Sequence, residues 1–489
     1  MTMLWQSQVL CSVMNGRPVG TLPEGISGIS IDSRSLQPGD AFFAIAGDRV
    51  DGHDFATTAV KAGAGLLVVA EGKLPALGRI MAPMIVVPDV LAALEAAGIA
   101  ARERTRARII AVTGSVGKTT TKEALRTALS ACGSVHAADR SFNNHWGVPL
   151  TLARMPEDCD YAIFEIGMNH PGEIRTLSHF VRPQISLITL IAPAHLGHFN
   201  SLEEIARAKA EIFETLEPGG HALINHDDRQ WELLERLAQE AGVEHVWSFG
   251  EHARATFRLA ASTMGAENSR VTVAMAGREI EATIGAPGRH MVHNALAVLG
   301  VAYLAGADVD RAAAALGNFS AENGRGRQYR LTHPAGGEFI LIDESYNANP
   351  VSMRAALAVL RATPVSESGR RIAVLGDMLE LGAHSQKLHA GLASVLAEAG
   401  VDRALLGGAE MAALAECLPV DLPCKHRDDA EALLPLVLET VQPGDAVMVK
   451  ASNSLGFSKI VAALLEEFPT GDGASGKAVS AHDTSINQV

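Results

Sequence analysis

The stretch Ala111-Val112-Thr113-Gly114-Ser115-Val116-Gly117-Lys118-Thr119-Thr120, AVTGSVGKTT (111–120), decides how the middle of this chain is read. A phosphate loop of the form G-x-x-x-x-G-K-[ST] needs a glycine five residues before Gly117, and Val112 stands there. The lysine, the hydroxyl after it and a glycine at 114 remain, which describes a tighter loop of the same kind. Upstream, RIIAV (108–112) has the β-branched, apolar composition of a buried strand. Downstream, Ala124, Leu125, Ala128 and Leu129 recur at helical spacing. Strand, glycine turn and helix start aim backbone N–H groups and the positive end of a helix dipole at a bound phosphate. Gly114, Ser115, Val116, Gly117, Lys118, Thr119 and Thr120 are therefore expected to cradle a nucleotide. In that arrangement Lys118 reaches the β- and γ-phosphates and Thr119 a Mg²⁺ ion.

The rest of the chain bounds what such a loop can serve. At 489 residues it has room for about three domains, and 47% hydrophobic with 20% charged residues is the balance of a soluble globular protein. A net charge of −14 argues against broad binding to nucleic acid or anionic membranes, so an anionic ligand needs local cations such as Lys118. Cys11, Cys132, Cys159, Cys417 and Cys424 are scattered without metal-like spacing, as in a reduced, cytoplasmic protein. No signal peptide and no membrane span are expected.

The organisation expected is α/β in three domains. Residues 1–105 hold short strands AFFAI (41–45), GLLVVA (65–70) and MIVV (84–87), then a helix over 91–107. Residues 106–325 alternate strands such as YAIFEIG (161–167), ISLITLI (185–191) and HALIN (221–225) with helical stretches, which predicts a mainly parallel sheet covered on both faces. AENGRGRQ (321–328) reads as a hinge. Residues 326–468 restart the rhythm as a Rossmann-like unit, without a dinucleotide fingerprint, and 469–489 read as a disordered tail.

Several residues sit where an open α/β sheet places its ligands. Glu165 ends one apolar run and His195 follows the next, so a hydroxyl, a carboxylate and an imidazole can meet at a metal near the phosphates. Taken singly, Glu165 suits a solvated strand end equally well, and His195 a structural role. Asn143 and Asn144 can bind a sugar or peptide, or simply stabilise turns. Asp343 stands at a strand end where a ribose hydroxyl could bind, and Tyr346 can stack on a base, against the alternative of a structural turn. Lys209 lies in SLEEIARAKAEIFETLEPGG with Leu202, Ile205, Ile212, Phe213 and Leu216 on one face; by itself it reads as a solvated partner of Glu204 or Glu211.

Together, TGSVGKTT, Glu165 in FEIG, His195 and D-x-x-Y-x-A-N-P (343–350) resemble the Mur ligase family over nearly the whole chain. IDSRSLQPGDAFFAIAGDRVDGHDF (31–55), EIGMNHPGEI, KAEIFETL, YNANPVSM and LGDMLELG are similar to the branch that joins D-alanyl-D-alanine to UDP-N-acetylmuramoyl-tripeptide. The resemblance implies an N-terminal uridine-nucleotide module, a central ATP-binding domain and a C-terminal Rossmann-like domain in a monomeric enzyme. It implies ATP and two Mg²⁺ ions, with the acceptor carboxylate activated as an acyl phosphate. It assigns catalysis to Lys118, Glu165, His195 and Lys209, the last as a carbamate, and metal binding to Thr119, Glu165, His195 and Lys209. Asn294, Arg325, Asp343 and Tyr346 would complete the ATP site. Ser33, Arg34, Gly47, His53, Asn143, Asn144, Asn347 and Asn349 would contact the UDP substrate and the dipeptide. Two positions depart from the family pattern: Met291 follows His290 where the family has asparagine, and Asn453 stands for an arginine in Lys450-Ala451-Ser452-Asn453.

Overall fold

The computed structural model describes residues 2–47, 50–193, 197, 199 and 201–470. Three large sheets divide the described residues, beside a two-stranded antiparallel pair of Trp5–Gln6 with Gly25–Ile26. The first has five strands: Arg17–Val19 (β1), Ile29–Ser30 (β2), Ala41–Phe43 (β3), Leu66–Ala70 (β4) and Met84–Val87 (β5), in the order β1-β5-β4-β3-β2. Only the β1–β5 pair is antiparallel. The helix Val90–Arg104 (α1), capped by Asp89 accepting from Ala92 N, leads out of it.

The second sheet has nine strands. Arg108–Thr113 (β6) lies in its interior, and all but the first of its residues are buried. The helix Lys118–Ser130 (α2) follows, burying Ala124, Leu125, Ala128 and Leu129. Then come Val135–Ala137 (β7), the helix Gly147–Ala153 (α3), Tyr161–Glu165 (β8), Ile185–Ile188 (β9), the helix Leu202–Ala210 (α4), His221–Asn225 (β10) and His245–Gly250 (β11). Phe257–Met264 (β12), Ser269–Met275 (β13) and Arg278–Ile284 (β14) complete the sheet, and the helix Arg289–Leu304 (α5) packs across it. The order is β14-β13-β12-β11-β10-β9-β6-β8-β7. The parallel expectation describes β7 to β12; β13 and β14 extend the sheet as antiparallel hairpins, each burying alternate residues on one face.

The third sheet has six strands, Arg327–Thr332 (β15), Glu338–Glu344 (β16), Arg371–Gly376 (β17), Arg403–Gly407 (β18), Cys424–Arg427 (β19) and Ala446–Lys450 (β20), ordered β15-β16-β20-β17-β18-β19. Only β15 is antiparallel. The helix Pro350–Ala362 (α6) follows β16. Of the expected tail, 469–470 pack on β15, Thr332 N donating to Pro469 O at 2.8 Å and Thr470 bridging Leu331; 471–489 lie outside the described residues.

The first two units share a core. One apolar cluster runs from Trp5, Leu10, Ile26 and Phe43 through Leu94 and Ala97 to Ile109, Leu150, Phe164 and Ile212. Polar ties cross the same boundary. Trp5 Nε1 donates to Ala153 O at 2.9 Å, Arg104, stacked on the Trp5 ring, donates to Met155 O at 3.2 Å, and Arg154 Nε donates to Ile29 O at 2.6 Å. The third unit keeps its own two cores on either face of its sheet. No described helix is long and apolar enough to cross a membrane.

Candidate active site

The site grows from the turn between β6 and α2. Gly114 has φ +150° and Gly117 φ +85°, conformations that side chains rarely adopt. A Cβ on Gly114 would fall 1.9 Å from Thr189 Oγ1, so glycine here permits the loop to lie flat against the end of β9. Ser115 N donates to Leu190 O at 2.7 Å and Thr189 Oγ1 to Val116 O at 2.6 Å. The tight spacing is thus held by the neighbouring strand, and α2 begins at Lys118 directly after Gly117. Among the described residues, the buried Ser115 Oγ has no hydrogen-bond partner.

Lys118 Nζ donates to Gly114 O at 2.8 Å, curling over its own loop. Burial lowers its pKa, the Glu165 carboxylate opposes this, and Arg325 adds to it. Thr119 Oγ1 donates to Glu165 Oε2 at 2.8 Å and lies 3.0 Å from Ser141 Oγ. Asn143 Nδ2 donates to the other oxygen, Glu165 Oε1, at 2.7 Å. Arg325 reaches in from the hinge, donating to Ser141 Oγ at 3.0 Å while its guanidinium lies 4.0 Å over the Tyr346 ring. Asn294, on α5, faces the same loop: a Cβ built on Gly117 would stand 3.2 Å from its Oδ1. Thr120 lies half-buried in the first turn of α2.

Lys209 is not the solvated partner that its charged neighbours suggest. It is 1% exposed on α4, and no carboxylate among the described residues pairs with it; Glu211 accepts instead from Gly172 N and Arg175 N. Burial, and then the Lys118 ammonium, push its pKa well below the ordinary lysine value. His195 lies outside the described residues. Hydroxyl and carboxylate oxygens at Thr119 and Glu165 are the donor chemistry that suits Mg²⁺, and the orphaned Ser115 hydroxyl in a glycine cradle suits phosphate.

Other residues expected to touch ligands are engaged by the fold itself. Asp343 is buried, its Oδ2 accepting from Gly324 N at 2.6 Å and its Oδ1 from Ser345 Oγ at 2.7 Å, so it holds the 321–328 segment against β16. Burial nevertheless raises its pKa against those bonds. Asn349 caps α6 through a reciprocal pair with Ser352, and Asn144 Oδ1 accepts from Gly147 N at 2.9 Å. Asn347 Oδ1 accepts from Ala348 N, and its carbonyl from Lys450 Nζ. In the N-terminal unit Arg34 forms a two-pronged pair with Asp32, 2.9 Å on each side. His53 Nε2 accepts from Ala70 N at 2.9 Å, so Nδ1 carries the proton and donates to Asp51 at 2.6 Å. Ser33 is buried, and Gly47 N donates to Val50 O. Ser141 was not singled out by its own residue type; its place two residues before Asn143 is the signal that could have found it.

Three family models match in sequence: "Mur ligase family, catalytic domain" over 25–123, "Mur ligase middle domain" over 112–302 and "Mur ligase, glutamate ligase domain" over 326–453. A UDP-N-acetylmuramoyl-tripeptide–D-alanyl-D-alanine ligase from Escherichia coli is 34% identical over 94% of this chain and 97% of its own length. The chain belongs to the Mur ligase family. Another member, the ligase of the same name from Rickettsia prowazekii, is 32% identical over 94% of this chain and 99% of its own. Among solved structures, MurF from Acinetobacter baumannii superposes with a TM-score of 0.80 at 30% identity, covering 94% of this Mur ligase and 99% of the other chain. The tight glycine loop is thus set inside a Mur ligase domain, and the segment 321–328 spans the start of the glutamate ligase match at 326.

Proposed function

We propose that this protein is an ATP-dependent amide ligase that joins D-alanyl-D-alanine to UDP-N-acetylmuramoyl-tripeptide, giving the pentapeptide precursor of peptidoglycan. The observation that carries this reading is the convergence of Lys118, Thr119, Glu165, Asn143 and Arg325 on one glycine loop. It is supported by relatives of that name, which align over more than nine-tenths of the chain.

A carboxylate is a poor electrophile, so an acceptor carboxylate oxygen first attacks the γ-phosphorus, ADP leaves and an acyl phosphate forms. For that step the loop amides and the Ser115 hydroxyl take up phosphate oxygens, and Lys118 exchanges the Gly114 carbonyl for them. Positioning and charge neutralisation then lower the barrier. The dipeptide amine next attacks the acyl carbon; the C–O bond breaks and phosphate departs. Thr119, Glu165, His195 and Lys209 are the residues that would hold two Mg²⁺ ions, which supply further neutralisation of the phosphate charge. Arg325 brings a cation from the hinge to the same cluster once the C-terminal unit is in place.

Lys209 enters this reading as a carbamate. A lowered pKa favours the neutral amine, which would add CO₂ and release a proton, turning a buried cation into an oxygen ligand. Phosphate release measured in the presence of ATP, with UDP-N-acetylmuramoyl-tripeptide and D-alanyl-D-alanine supplied singly and together, tests the function. Release only with both supports the reading. Equal release with a free amino acid in place of the dipeptide would reject it.

A further inference from the structure

Lys122 is unused by the chemistry above, yet it is completely buried. It lies one turn after Lys118 on α2. Its Nζ donates to Ala138 O at 2.7 Å and to Arg140 O at 3.1 Å, and lies 2.7 Å from the Glu123 carboxylate. Arg126, a further turn along the same face, donates to the carbonyls of Ala137 and Ala138 and to Asp139. Both cations therefore grip the segment 137–140, which leads directly into Ser141 and Asn143.

Those two residues do different work. Asn143 fixes one oxygen of Glu165 while Thr119 takes the other; Ser141 touches Thr119 and receives Arg325 from the hinge. The hinge closes the circuit from the far side. Glu322 lies 3.8 Å from Arg325, and burial, then Glu123, raise its pKa against the pull of Lys122 and Arg325. α2, the 137–143 segment and the hinge thus meet at one polar junction. A lysine on a helix ordinarily keeps its ammonium in water; here the ammonium donates to two backbone carbonyls and lies against a carboxylate.

We propose that Lys122 is a positioning residue: by anchoring the 138–140 carbonyls it sets Asn143 and Ser141, and so couples the orientation of Glu165 to the arrival of Arg325. This rests on the nucleotide-site reading given above. Removing an outer partner that orients a metal-binding side chain characteristically costs roughly 10- to 100-fold in metal affinity or activity.

The test is calorimetric binding of ADP to the full-length chain across a Mg²⁺ series, comparing the unaltered protein with Lys122→Met, Asn143→Ala and the double variant. Lys122→Met should raise the Mg²⁺ concentration for half-maximal ADP binding by roughly 10-fold or more. Its Mg²⁺-free ADP affinity should change little, because the loop amides are untouched. In the Asn143→Ala background the same substitution should add almost nothing. An unchanged Mg²⁺ requirement, or effects that add to within about twofold in the double variant, would overturn the proposal and leave the function standing. No ADP binding by the unaltered chain at any Mg²⁺ concentration would overturn both. Should Lys122→Met fail to fold, Ser141→Ala breaks the same circuit at a half-buried hydroxyl and should likewise shift the Mg²⁺ requirement; a normal requirement there counts against the coupling.

Discussion

Lys118 and Lys209 are both ammonium-bearing side chains close to one phosphate loop, but their surroundings assign them opposite tasks. Lys118 is half-buried with a carbonyl partner it can exchange, and although burial lowers its pKa, Glu165 nearby opposes that shift. Lys118→Ala should lower kcat by about a hundredfold or more, since losing a group that stabilises developing charge costs about 2.7–4 kcal/mol in comparable sites. Lys209 has no such partner among the described residues, and its pKa is driven down. Lys209→Ala should be nearly inactive and regain turnover when a short-chain carboxylate is added; an active alanine variant would reject the carbamate. The sign of the pH effect follows from the chemistry: lowering pH protonates the amine and drives CO₂ off. Activity of the unaltered enzyme should therefore fall toward acid pH and be partly restored by added bicarbonate.

At the scale of elements, the turn of the β6–loop–α2 unit depends on glycine at two positive-φ positions, Gly114 and Gly117. Gly114→Ala would put a methyl 1.9 Å from Thr189 Oγ1 at a φ that alanine resists. It should cost about 1–3 kcal/mol of stability in a denaturant titration and weaken ADP binding, because the loop would lift from β9. This unit was legible in the sequence because strand composition, glycine and helix spacing are local signals that agree. The hairpins β13 and β14 were equally local, with Val271, Val273 and Met275 alternating inward, but α/β rhythm elsewhere drew the reading past them. Asn349-Pro350-Val351-Ser352 carries a helix start written in plain form, a cap, a proline and a reciprocal partner, and that short-range role claims the Asn349 side chain. Lys122 was not legible, because its burial depends on a loop that returns against α2 from 16 residues further on.

Across the whole molecule, the distribution of cores decides which unit can move. The N-terminal and central units share one apolar cluster, bound further by Trp5, Arg104 and Arg154, whereas the C-terminal unit has separate cores and meets the site where Tyr346 lies under Arg325. Closure should therefore swing the C-terminal unit about 321–326 and leave the other two fixed. Small-angle scattering with a non-hydrolysable ATP analogue and the UDP substrate should show a smaller radius of gyration. A label pair placed across the N-terminal and central units should show no change in distance; a change there would contradict the shared core as the fixed body.

The central claim, that this loop activates a carboxylate as an acyl phosphate on the way to an amide, can be read from a single atom. UDP-N-acetylmuramoyl-tripeptide carrying ¹⁸O in its terminal carboxylate is turned over with ATP and D-alanyl-D-alanine, and the released phosphate is analysed by mass. The account predicts one ¹⁸O in each phosphate from doubly labelled carboxylate, because the oxygen that attacks the γ-phosphorus leaves with it. Amide formation with unlabelled phosphate would contradict it.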